Sequence, residues 1–243
     1  MDKTNEIKKF GMMAGVFTPT FLTVLGVIMY IRHPWVVGNA GVMGALLIIV
    51  VAVSITLSTA LSLSSITTNI RIGSGGAFSL ISQSLGLEIG GAIGIPFFFS
   101  QAIAVAMYIF GFREGLQSIL PEFSPLLLDI FVFILVMAIA FISTSFAFKI
   151  QYVIMAIIIL SIASIVGGLF ITELNYDFVW FGDYPGSKEN NFEGSSFWLV
   201  FAVFFPAVTG VMAGANMSGD LENPRKSIPR GTITAVIIST LVY

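Results

Sequence analysis

Residues 204–220 read FFPAVTGVMAGANMSGD, and the reading of this stretch decides the fold. It continues the apolar run FWLVFAV (197–203) into what should be the middle of a membrane-crossing helix. Yet it carries Pro206, Thr209, Gly210 and Gly214, and then Asn216-Met217-Ser218-Gly219-Asp220. An unbroken helix satisfies its own backbone and has nothing to offer an ion. Pro206 cannot donate to the helical ladder, and Gly210 tolerates the dihedrals of an unwound turn. A break here frees carbonyls near Pro206 to face a cation. It also places the amides after Thr209 at the positive end of a new half-helix.

The rest of the chain supplies the membrane setting. Of 243 residues, 56% are hydrophobic and only 10% charged, and the mean hydropathy is +0.97. A water-soluble domain carries roughly 25% charged residues, so most of this chain does not face water. A bilayer span needs about 20 apolar residues. Spans are expected near 11–31, 42–65, 89–112, 126–148, 151–172 and 197–215, with a seventh beginning at Gly231 and incomplete at Tyr243. Together they form one transmembrane domain over 1–243, which reads as truncated inside a helix. The first apolar run is too long for a signal-peptide core and has no small-residue cleavage site, so it is read as a retained span.

Charge and cysteine content narrow the function. The net charge of −2 points away from a nucleic-acid partner, and the bilayer itself is the expected partner. The absence of cysteine excludes disulfides and thiolate metal sites. With a cytoplasmic N-terminus, the inner segments hold Lys3, Lys8, Lys9, Arg71, Lys149, Arg225, Lys226 and Arg230, against Arg32, Arg113 and Lys188 outside. That asymmetry fits the positive-inside rule. The loop from Glu173 to Ser196 then lies outside, and its aromatics (Tyr176, Phe178, Trp180, Phe181, Tyr184) read as membrane-interface residues rather than a binding cage.

Two further stretches depart from a plain apolar helix. In the opening span, GVFTPTFLTVLGVIMYIR, the pattern is interrupted by Thr18, Pro19, Thr20, Thr23 and Gly26. The loop TTNIRIGSGGAFSLISQSLG is polar and glycine-rich but amphipathic over 77–85. Glycine and threonine in membrane helices commonly serve close packing, and a proline is commonly just a kink. The coincidence argues for more. Many secondary transporters consist of two inverted repeats whose corresponding helices unwind near the midplane to bind ions. With five spans per repeat, the sixth is the counterpart of the first, and the breaks fall in these two.

At these residues the sequence resembles the cation–chloride cotransporter family of the amino acid–polyamine–organocation superfamily. The stretches carrying the resemblance are GVIMYIRHPWVVGNAG, GGAFSLISQSLGLEIGGAIG, AVAMYIFGF and FFPAVTGVMAGANMSGDLENPRKSIPRGT. The resemblance extends from about Lys9 to Tyr243 and is to the N-terminal half of a prokaryotic-type member. It implies an all-α, polytopic membrane protein of leucine-transporter type: the first five-helix repeat, the sixth helix and the start of the seventh. It also implies a multi-pass protein of the plasma membrane, and a homodimer.

Transferred by position, the resemblance implies a potassium site made of the Tyr108 hydroxyl, backbone carbonyls of Thr23, Val24 and Pro206, and the Thr209 hydroxyl. A large, weakly hydrated cation suits neutral oxygens of this kind. It implies chloride sites at the amides of Gly26, Val27 and Ile28 and of Gly210, Val211 and Met212. Thr23 stands where the family commonly has asparagine, and Leu25 where it has tryptophan. Sodium dependence rests on an eighth helix beyond Tyr243, and these residues do not decide it.

The expected function is electroneutral cotransport of potassium, with or without sodium, and chloride by alternating access, using no cofactor. The alternatives are an amino acid permease of the same superfamily and a non-transporting half-protein. A permease usually exposes several glycine amides in span one to hold a carboxylate, whereas here only Gly26 does so, between Leu25 and Val27. No nucleophile–base pair or metal-ligand cluster suggests an enzyme. Each singled-out residue also has a plainer reading. Tyr108 as an interfacial residue and Thr209 as a hydroxyl bonded back to its own helix are the plain ones. His33, the only histidine, reads as structural. Asp220, Glu222, Arg225 and Lys226 read as a cytoplasmic gate or a solvated loop. Asn216-Met217-Ser218 on the inner side stays unglycosylated, and Gly73-Ser74-Gly75-Gly76 lacks the Gly-Lys-Ser/Thr of a phosphate loop.

Overall fold

The computed structural model describes residues 9–70, 72–142, 144–171, 178–187 and 192–243. Lys3, Lys8, Arg71, Tyr176 and Lys188, used above for orientation and for the outer loop, lie outside the described residues. Among the described residues the protein is all-α apart from a two-residue antiparallel pairing of β1 (Gly186–Ser187) with β2 (Phe192–Glu193). A π turn at Met13–Phe17 leads into α1 (Thr18–Val24), α2 (Val27–Asn69), α3 (Gly76–Leu85), α4 (Leu87–Ile119), α5 (Pro125–Ile142) and α6 (Thr144–Gly168). Then come α7 (Phe197–Phe204), a 3-10 turn (Phe205–Val208), α8 (Ala213–Asn216), a second 3-10 turn (Ser218–Asp220) and α9 (Pro224–Val242). Among the described residues, Met13–Asn69, Leu87–Ile119, Lys149–Gly168 and Phe197–Asn216 are long and apolar enough to cross a membrane, and Pro125–Phe141 is a shorter apolar helix.

Contacts divide the chain into two compact units, one of residues 1–23, 57–98 and 210–242, the other of 24–56, 99–209 and 243. In the first unit, Val16, Leu63, Leu80, Ala215, Leu221 and Ile228 form an apolar core. Phe10 is tied to the loop before α9 by backbone bonds to Asp220 and Glu222 at 2.8 and 3.0 Å. The glycine-rich loop closes on the same core, where the Ser218 hydroxyl donates to the Gly73 carbonyl at 3.0 Å and accepts from the Gly76 amide at 3.3 Å. Asp220, Glu222, Arg225 and Lys226 form no ion pair with one another among the described residues, and Arg225 donates instead to the Asn69 carbonyl at 3.2 Å.

The second unit is centred on Val36, Ile48, Val200, Phe204 and Val208, all buried. Its helix α2 runs through residues 32–41, between the first two expected spans, and turns at Gly41 (φ 70, ψ 176). That turn has a physical reason. A Cβ on Gly41 would lie 2.6 Å from the Gly182 amide nitrogen, a contact no side chain tolerates, and the positive φ favours glycine. The segment around 179–180 then satisfies the backbone opened by the turn: the amides of Val42 and Met43 donate to the carbonyls of Val179 and Trp180 at 3.0 and 2.9 Å. Buried Asn39 locks the same corner, accepting from the Gly186 amide at 2.9 Å and the Ser195 hydroxyl at 3.0 Å.

Candidate functional site

The first helix breaks at Leu25–Gly26, between α1 and α2. Thr18, Pro19, Thr20 and Thr23, which read as interruptions, are all helical. Pro19 removes an amide from the ladder, and the π turn immediately before α1 absorbs the irregularity. Thr23 compensates further, since its hydroxyl donates back to the Pro19 carbonyl and lies 3.2 Å from that of Thr20. Beyond the break, the amides of Gly26, Val27 and Ile28 make no hydrogen bond among the described residues, as expected for the first turn of a helix. They stand at the start of the long α2, where the helix dipole favours an anion.

The sixth span opens differently. Helix α7 tightens into the 3-10 turn, Thr209 is extended (φ −85, ψ 175), and Gly210 takes φ +102. The Thr209 hydroxyl donates to the Pro206 carbonyl at 2.7 Å, and the Thr209 amide reaches the same oxygen at 3.3 Å. The plain reading of Thr209 is thus realised. The hydroxyl oxygen keeps lone pairs for another partner. The amides of Gly210, Val211 and Met212 are without hydrogen bonds among the described residues. Gly210 packs on the end of α1: a Cβ here would meet the Thr23 Cβ at 2.8 Å.

Tyr108 lies within α4, half-buried, and lines an apolar cavity of about 1050 Å³ with Val27 and Leu128. A second cavity of about 450 Å³ brings Pro206 together with Val27, Ile28 and Met107. Arg32 and Glu114 also line it and form a bidentate ion pair, at 3.1 and 2.9 Å. The sequence reading did not anticipate this pair, nor that of Arg113 with Asp129 at 2.7 Å.

It also did not anticipate Tyr243. The hydroxyl of this residue lies 2.6 Å from the Val24 carbonyl and 2.9 Å from the Ala207 carbonyl. Its ring packs against His33 and Phe204, with centroids 5.9 and 5.5 Å away. No local pattern marks a contact across 219 residues. The only signal available was a polar tip on an otherwise apolar terminal run. His33 is held between aromatic rings, in keeping with a structural role.

This pattern of two interrupted helices in an apolar, all-α chain has a match. The amino acid permease family model covers residues 15–243. The chain belongs to that family. It is 41% identical over 252 residues to solute carrier family 12 member 2 of Squalus acanthias, covering 98% of this chain and 21% of that protein. It is also 41% identical over 256 residues to the Homo sapiens member 2, covering 99% of this chain and 21% of that protein. With Homo sapiens solute carrier family 12 member 1 it shares 38% over 260 residues, covering 100% and 24%. The resemblance to the cation–chloride cotransporters therefore holds over nearly the whole chain, which is a multi-pass membrane protein. The chain spans only about a fifth to a quarter of these relatives. They are vertebrate proteins, and they lend no support to a prokaryotic-type origin.

Proposed function

We propose that this chain forms the ion-binding half of a secondary transporter that carries potassium and chloride together, without net charge movement, by alternating access. The observation that carries the reading is the break at Leu25–Gly26. It frees the Val24 carbonyl from its helix on one side and the amides of Gly26, Val27 and Ile28 on the other. One interruption in an apolar helix offers acceptors to a cation and donors to an anion. The cation ligands are the carbonyls of Thr23, Val24 and Pro206 with the hydroxyls of Tyr108 and Thr209. The anion ligands are the amides of residues 26–28 and 210–212. All are neutral, so no fixed carboxylate has to be neutralised before the ions bind as a pair.

The test uses the full-length protein in liposomes. Rubidium uptake should require chloride and should leave the membrane potential unchanged. Uptake of an amino acid that persists without potassium would instead establish the permease reading. The proposed setting is the plasma membrane with a cytoplasmic N-terminus. Exposed Asp183 and Lys226 test it through Asp183→Cys and Lys226→Cys: these 243 residues hold no cysteine, and any outside them is first replaced. An impermeant thiol reagent should label the first in intact cells and the second only after permeabilisation. The reverse pattern refutes the orientation.

A further inference from the structure

We infer that Tyr243 is a further residue of the cation site, where its hydroxyl competes with the cation for the Val24 carbonyl and so sets the affinity. The inference rests on the potassium reading above. The Val24 carbonyl has lost its helical donor at the first break, and the Ala207 carbonyl belongs to the 3-10 turn next to Pro206. A single phenolic oxygen stands 2.6 and 2.9 Å from the two. Both distances are those of O–H···O hydrogen bonds. A phenol has one hydrogen, so the two acceptors share one partial positive charge placed between them. A cation held by the Val24 carbonyl, which belongs to the proposed site, meets that proton there.

The surroundings fix the hydroxyl in that place. The Tyr243 ring lies 5.5 Å from that of Phe204, edge-on, and 5.9 Å from His33. Phe204 is fully buried. The oxygen is therefore aimed by packing that does not depend on it. In an apolar interior, a carbonyl without a donor is costly. Tyr243 removes that cost for two carbonyls at once, and cation binding must draw its proton away from the Val24 carbonyl. The residue thus weakens apparent affinity, which favours release of a transported ion.

The sign of this effect separates it from an ordinary ligand. Tyr243→Phe keeps the ring and its packing and removes the competing donor. A net hydrogen bond to a neutral acceptor corresponds to roughly a two- to tenfold change in an equilibrium constant. The external potassium concentration that half-saturates rubidium uptake by the full-length protein in liposomes should therefore fall on the order of two- to tenfold. An unchanged or raised value overturns the inference and leaves the cotransport reading standing. Loss of chloride-dependent rubidium uptake in the unmodified protein would overturn that reading, and the inference with it. A second variant, 3-fluorotyrosine at position 243, keeps the shape and makes the hydroxyl a stronger donor. It should shift half-saturation the opposite way, to higher potassium, and it decides the matter if Tyr243→Phe does not fold. A residue that merely packed would give no such pair of opposed shifts, and their absence overturns the inference.

Discussion

The two helix interruptions are built in opposite ways. The first is abrupt: α1 is helical to Val24, two residues intervene, and α2 resumes at Val27. The second unwinds gradually, through a 3-10 turn, an extended Thr209, a positive-φ Gly210 and a turn, and the helix that resumes there, α8, is only four residues long. The macrodipole accumulates along aligned peptides. Amides at the start of α2 therefore carry a helix-end field that those before α8 largely lack. For the anion site proposed at the second break, affinity has to come from the direction of individual amides, which the dihedrals of Gly210 set. As proposed anion sites, the first break relies on the length of its helix and the second on the shape of its backbone.

The largest test of that contrast is steric. Gly210 has φ +102, and a Cβ would lie 2.8 Å from that of Thr23. Gly210→Val adds backbone strain of about 1–3 kcal/mol and a clash that flexible side chains cannot relieve. It should abolish chloride-dependent rubidium uptake and lower the melting temperature of the purified full-length protein. Gly26 is not among the positive-φ glycines. Gly26→Ala should therefore leave the melting temperature nearly unchanged and uptake reduced less than tenfold. Equal loss in both variants would show that the second break has no special dependence on backbone shape.

A second test asks whether the backbones suffice for the cation. Tyr108, from α4, belongs to neither break, and its contribution is one hydroxyl. Tyr108→Phe keeps the ring in its cavity. Losing a contact from a hydroxyl to a charged group costs about 1.5–3 kcal/mol, or roughly ten- to a hundredfold in apparent potassium affinity. Chloride affinity should change less, because the amides proposed for it lie elsewhere. Unaltered potassium dependence in a normally expressed variant would take Tyr108 out of the site.

The two breaks were also unequally legible in the sequence. Pro206 and Gly210 announce the second, because one removes a donor and the other supplies a rare dihedral, and both act where they stand. The first reads more broadly than it is: of its five marked residues, only Gly26 falls at the break. Pro19 and its threonines look disruptive as letters, but the π turn before them and the back-bonded hydroxyl of Thr23 repair the ladder. The helical course of residues 32–41 was hidden in a similar way. Arg32, His33 and Pro34 resemble a loop until Glu114, far along the chain, provides the partner for Arg32. The amphipathic 77–85 segment, by contrast, needs only its own period, and a helix is found at Gly76–Leu85. What stays illegible is whatever depends on distant groups, Tyr243 above all.

The smallest expected effects come from the two threonines, and they sharpen the contrast most finely. Each sits just before a break and donates its hydroxyl to the carbonyl of a preceding proline, Thr23 to Pro19 and Thr209 to Pro206. Their proposed roles differ. Thr209 offers the cation its hydroxyl oxygen, whereas Thr23 offers only its main-chain carbonyl. Thr209→Val removes a ligand, but it also releases the Pro206 carbonyl from a competing hydrogen bond, so the two effects partly cancel. A net cost of about 1 kcal/mol, or roughly fivefold in apparent potassium affinity, is expected. Thr23→Val removes a hydroxyl whose bonds run back into its own helix. The β-branched shape that packs against Gly210 is retained. Potassium affinity should then stay within about twofold, the effect of a few tenths of a kcal/mol. Potassium titrations of rubidium uptake in the two variants measure the difference directly. If Thr23→Val weakened potassium as much as Thr209→Val, both hydroxyls would be acting through helix geometry rather than one of them as a ligand. The Thr209 side chain would then leave the proposed site.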